Sequence, residues 1–192
     1  MDETKEHLKE LYYQLREEMR AKWNRDIPFG ELLFDRWERS NFLGFGQKSS
    51  VYHNSYIYGD VSVGEHTWIG PFTLLDGTGK LTIGDYCSIS AGVQIYTHDT
   101  VAWALSGGEA KYEYAPVSIG NRVHIGAQTV IVKGVTIGTG CIVGACSFVN
   151  RDIPPNSIAF GVPAKVRGKT ELDEEGAPIF SFDQSVSGNV LD

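Results

Sequence analysis

The chain has 192 residues, 17 basic and 24 acidic, for a formal net charge of −7. That length suits one domain with appendages, and no apolar run approaches the ~20 residues of a membrane span. No basic face interleaved with aromatics marks a nucleic-acid partner, and the N-terminus MDETKEHLKE is too polar for a signal peptide, so a cytoplasmic protein is expected. Three cysteines, Cys87, Cys141 and Cys146, are an odd count and read as reduced packing residues, with neither a disulfide framework nor a metal site expected.

Leu8, Leu11, Tyr12, Leu15, Met19 and Trp23 fall on one face at helical spacing, which predicts a helix from about residue 4 to 24, ending before Pro28. A second helix is expected over Glu31 to Arg39, with Leu33 and Trp37 on one side. From Val51 the period changes to six. Aliphatic residues recur at Val51, Ile57, Val63, Ile69 and Leu75, then at Ile83, Ile89 and Ile95, and again at Ile119, Ile125, Ile131, Ile137, Val143 and Val149. Six fits neither a helix nor a plain strand; it fits short strands joined by corners, three faces to a coil, with coils stacked in parallel.

Small or β-branched residues four positions after the aliphatics (Ser55, Thr67, Thr73, Cys87, Thr129, Cys141, Ser147) would fill the prism beside them. Glycine follows many of the aliphatics, as at Gly64, Gly84, Gly126 and Gly138, and is expected to supply positive φ at the corners. The helices would then cover the open edge of the first coil.

The beat breaks twice. Gly77-Thr78-Gly79-Lys80 carries a two-residue insertion, and between Ile95 and Ile119 the pattern is silent yet resumes in phase. That silence predicts a loop over 97–118 pushed out of a continuing scaffold; loops of this length are functional or disordered, and Trp103, Tyr112 and Tyr114 argue against disorder. The expected organisation is a helical cap over 1–47, the repeat domain over 48–168 and an acidic tail over 169–192, extended or partly disordered. Net charge is −2 over residues 1–47, +1 over 48–169 and −6 over 170–192, so the acidity belongs mainly to the tail.

The run SIGNRVHIGAQTVIVKGVTIGTGCIVGACSFVNRDIPPNSIAFGVPAKV resembles the hexapeptide-repeat acyltransferases, in their sugar O-acetyltransferase branch, of which the maltose and galactoside acetyltransferases are typical. The resemblance covers roughly residues 51–168. It implies an all-β, left-handed parallel β-helix, a homotrimer, and acetyl-CoA as co-substrate with a saccharide acceptor, in a setting such as surface-polysaccharide assembly. His98, at the strand-to-loop junction, matches the family's catalytic histidine, although Asp99 follows it where the family has proline. A histidine there can take the proton of an acceptor hydroxyl and return it to the leaving thiolate.

What would orient His98 stays open, since Asp99 points to the opposite face if the strand persists. The resemblance also places coenzyme A against the main chain at Ala127 and Ala145, against Asn150, and against the cations Arg151 and Lys165. Asp76, in an expected turn, and Trp103 become candidate acceptor-binding residues. Two other functions remain beside this one: N-acetylation of a nucleotide-linked amino sugar, and a non-catalytic β-helix scaffold. The zinc-dependent β-helical carbonic anhydrases are set aside, because no two of the five histidines stand five positions apart.

Overall fold

The computed structural model describes residues 2–183. Three helices, α1 (Asp2–Trp23), α2 (Phe29–Leu33) and α3 (Arg36–Phe42), precede a stack of parallel coils. The single helix expected over Glu31 to Arg39 is two helices. Phe34 leaves the helical region (φ −125°, ψ 132°), and Asp35 caps a new start by accepting a hydrogen bond from the Trp37 amide at 2.7 Å. The pair covers the first coil where its strand groups lack a neighbour. Arg39 donates to the carbonyls of Tyr52 and Ser55, and the Glu31 carboxylate accepts from the Asn54 amide at 2.9 Å.

Each coil has three faces. On the first, Val51 pairs with Ile69, Ile69 with Ile89, Ile89 with Ile125, Ile125 with Val143 and Val143 with Ala159, all in parallel. The second runs through Ile57, Leu75, Ile95, Ile131 and Val149; the third runs through Val63, Ile83, Ile119 and Ile137, with Ile153 bridging Ile137. These aliphatics form one apolar column, and Phe45, six residues before Val51, also belongs to it. Several small polar residues beside the column are satisfied within the stack, although the buried Thr73 hydroxyl has no partner among the described residues. The hydroxyls of Ser55, Thr67 and Thr129 donate to the carbonyls of Gly70, Gly84 and Gly144 at 2.8–3.0 Å.

The glycine expectation is corrected. Positive φ falls three residues after the aliphatic, at His66, Phe72, Tyr86, Arg122, Gln128 and Cys146 among others, and not at the glycines one residue after it. Those glycines answer to space. A Cβ on Gly126 would stand 2.4 Å from the Ala145 nitrogen, and one on Gly138 would stand 2.4 Å from the Pro155 nitrogen. Successive coils are too close at these corners for any side chain.

The loop expected over 97–118 is largely structured. His98–Asp99 pairs antiparallel with Glu113–Tyr114, a short helix α4 (Val101–Leu105) lies between them, and the repeat resumes at Val117–Ile119. The tail reading is also corrected. Ala164–Leu172 turns back antiparallel on Ser157–Gly161, and Pro178–Phe182 pairs with it in turn. The boundary drawn at 168 therefore falls inside a strand. Residues 184–192 of the expected tail lie outside the described residues.

Candidate active site

Both breaks in the hexad rhythm meet at one corner, between the second and third faces. Leu75 and Ile95 are partners on adjacent coils, so the residues that follow each of them stack as well. After Leu75, Asp76, Gly77 and Thr78 turn the corner within the strand Leu74–Ile83, where the register shifts by two residues between Gly77 and Leu81; after Ile95, Thr97 and His98 leave for the excursion. Gly79 is needed there because a Cβ would stand 2.4 Å from the Thr97 carbonyl oxygen. The side chains converge in consequence.

Asp76 is 1% exposed. Its Oδ1 accepts from the Thr78 amide at 2.9 Å and the Thr78 hydroxyl at 2.6 Å, and its Oδ2 accepts from the Thr97 amide at 3.0 Å. The same Oδ2 lies 2.6 Å from His98 Nδ1. Burial alone would push the Asp76 carboxyl up, but the hydrogen bonds from Thr78, Thr97 and His98 outweigh it and hold the group at about 2. Asp76 is therefore a carboxylate, which only accepts. His98 must carry its proton on Nδ1, and the Nε2 lone pair is left as the basic site.

The acceptor role expected of Asp76 is thus overturned, because its oxygens are spent inside the protein and it is enclosed. It supplies the orienting partner for His98 that sequence reasoning had left open. Asp99 takes no part in that pairing: its Oδ2 lies 3.0 Å from Lys133 Nζ.

His98 keeps 31% of its side chain exposed beside an open cleft of about 510 Å³, lined by Tyr96, His98, Asp99, Thr100, Val130 and Lys133 among others. Tyr112 and Tyr114 flank the imidazole, with ring centroids 6.4 Å and 5.9 Å away. Trp103, on α4, packs edge-on against Tyr112 at 5.7 Å. The excursion thus connects Trp103 to His98 through Tyr112.

The other expected residues lie on later coils. Ala127 and Ala145 occupy equivalent corners between the first and second faces; the Ala127 carbonyl accepts from the Cys146 amide at 2.8 Å. Asn150 and Arg151 follow Phe148–Val149 at the far edge of the second face, both exposed, and Lys165 is exposed on the returning strand opposite Phe160. Neither cation has an ion-pair partner among the described residues. No group of three or more His, Cys, Asp or Glu that could hold a metal occurs among the described residues. Thr78, Thr97 and Lys133 were missed; pairing the hexads into coils would have placed Thr97 and Lys133 at the corner, because Ile95 pairs with Ile131.

A stack of hexad coils interrupted by one excursion, with a histidine at its base, defines the class. The chain belongs to the hexapeptide-repeat acyltransferases, which fold as left-handed β-helices. The family described as "Bacterial transferase hexapeptide (six repeats)" matches residues 116–151. The chain is 33% identical over 149 residues to the galactoside O-acetyltransferase of Escherichia coli (strain K12), covering 67% of this chain and 72% of that protein. It is 32% identical over 172 residues to a chloramphenicol acetyltransferase of Morganella morganii, covering 78% of each. Among solved structures it resembles a galactoside acetyltransferase in complex with coenzyme A, with a TM-score of 0.62 and 26% identity over 84% of this chain and 82% of that chain.

Proposed function

We propose that this protein transfers the acetyl group of acetyl-CoA to a hydroxyl of a saccharide, with His98 as general base, in a reaction such as surface-polysaccharide modification. The observation that carries this reading is the 2.6 Å contact between His98 Nδ1 and the buried Asp76 carboxylate, which leaves Nε2 as the basic nitrogen. As the acceptor oxygen attacks the thioester carbonyl carbon, Nε2 takes its proton. When the tetrahedral adduct collapses and the C–S bond breaks, the same proton passes to the departing sulfur, giving the acetyl ester and free thiol. Asp76 steadies the imidazolium formed in between without taking the proton, since its hydrogen bonds hold it as a carboxylate with a pKa of about 2.

Coenzyme A supplies the activated acetyl group. The half-buried corner at Ala127 and the exposed one at Ala145 suit its pantetheine arm, and Asn150, Arg151 and Lys165 suit its polar head and phosphates. Trp103 and Tyr112 offer stacking faces to the acceptor. The cleft beside His98 is open on one chain, and a homotrimer with parallel prism axes would close it between neighbours. A buried carboxylate holding an imidazole ready to deprotonate favours a hydroxyl acceptor over an amine, which is nucleophilic once neutral.

The test is thiol release from acetyl-CoA across a panel of saccharides, their amino analogues and chloramphenicol. Release with hydroxyl sugars is expected. Release with amino sugars alone, or with chloramphenicol alone, would replace the saccharide reading.

A further inference from the structure

The excursion that carries His98 rests on a narrow base. Its two strands are joined at only two register positions, His98 opposite Tyr114 and Asp99 opposite Glu113. So short a strand pair does not hold itself together. One of the two positions sets carboxylate against carboxylate, and like charges directly opposite each other across strands repel.

A cation stands between them. Lys133 Nζ lies 3.0 Å from Asp99 Oδ2 and 2.8 Å from Glu113 Oε2. Its pKa is raised, first by the hydrogen bond it donates to Glu113 and then by that it donates to Asp99. Lys133 comes from the scaffold and not from the excursion: Ile131 pairs with Ile95, so residue 133 stacks against residue 97, at the root of the departing strand. It also lines the His98 cleft.

We propose that Lys133 is a positioning residue, a clamp that neutralises Asp99 and Glu113 together and fixes the excursion, with His98 and the Tyr112–Trp103 wall, over the cleft. Its effect on turnover rests on the acetyl-transfer reading, whereas its effect on the excursion does not, and the experiment separates the two. Hydrogen exchange of amides 99–114 is followed together with the rate of tryptic cleavage after Lys111, in the full chain.

Lys133→Met should raise exchange and cleavage in this segment about 10-fold or more while strands such as Ile142–Val143 keep their protection. The swap Lys133→Glu/Glu113→Lys, which again sets one cation between two carboxylates, should restore protection to within about threefold. Lys133→Arg should stay closed. In turnover, Lys133→Met should lower kcat/KM for the acceptor about 10-fold by displacing the wall and base, with KM for acetyl-CoA unchanged, and the swap should recover it.

Unchanged exchange over 99–114 in Lys133→Met would overturn the clamp, as would a swap variant as open as Lys133→Glu alone. If the scaffold strands lose protection as well, the swap decides: recovery supports the clamp, and failure to recover overturns it. Altered exchange with no transfer to any acceptor would uphold the clamp and overturn the acetyl-transfer reading.

Discussion

Replacing Asp76 by asparagine changes one atom at a fully enclosed position, and the structure says what that atom must do. Oδ1 receives two donors, the Thr78 amide and hydroxyl, while Oδ2 receives the Thr97 amide and faces His98 Nδ1. The amide oxygen of Asp76→Asn best replaces Oδ1, so its NH2 falls where Oδ2 was, pointing donors at the Thr97 N–H and at Nδ1. Nδ1 can meet a donor only with its lone pair. That moves the imidazole proton to Nε2 and removes the base. Loss of an oriented general base costs about 10² to 10⁴ in rate. Asp76→Asn should therefore lose about that factor in kcat while acetyl-CoA binding, by calorimetry, stays within about threefold.

Nitrogen NMR of the histidine ring should find Nδ1–H in the native protein and Nε2–H in the variant. A variant with near-native kcat, or with the native tautomer, would refute this reasoning. The same carboxylate links stability to pH. Its folded pKa of about 2 is depressed below the ordinary carboxylate value of about 3.9. Its contribution, of order 2 kcal/mol, is complete above the ordinary value and is lost as pH falls through the folded one. The difference in melting temperature between the native protein and Asp76→Asn should shrink between about pH 4 and pH 2.

Four more outcomes are expected. Alanine at both Arg151 and Lys165 should raise KM for acetyl-CoA about 10-fold, and less for the dephospho donor if one of them meets the 3′-phosphate, with the acceptor KM unchanged; an unaltered donor KM would remove these residues from the site. Deleting residues 100–114 joins Asp99 to Ala115, whose amide already donates to the Thr97 carbonyl at 2.9 Å, so the β-helix should fold normally by circular dichroism while acceptor saturation is lost. Gly126→Ala should lower the melting temperature sharply because its Cβ meets the Ala145 backbone at 2.4 Å. Gly134→Ala, whose Cβ meets only the Ala115 side chain at 3.5 Å but must keep φ +80°, should cost about 1 kcal/mol.

The six-residue beat made the fold legible because in a stacked coil every aliphatic meets its own kind, so inward position and sequence period are the same fact. It also located His98, since a scaffold that pauses and resumes in phase must have pushed a loop outward. The period did not give the role of the glycines. Two requirements, left-handed φ and closeness of neighbouring coils, recur at the same spacing, and only three dimensions assign them to different residues. Asp76 was misread for a related reason. Its neighbours in sequence suggest a surface turn, whereas its surroundings are set by Thr97 and His98, one coil away through the Leu75–Ile95 pairing. The C-terminal hairpin left little signal because charged residues alternate there on an exposed edge, a pattern shared by strands and solvated tails.

The most direct test of the account is the pH dependence of kcat for the native protein and for His98→Ala with a saccharide acceptor that supports thiol release. The account predicts that the native rate rises with pH, since a general base acts only unprotonated, and that His98→Ala falls by about 10² to 10⁴, with acetyl-CoA affinity kept within a few-fold. A His98→Ala enzyme that transfers acetyl to a hydroxyl at near-native rate from pH 6 to 9 would contradict it.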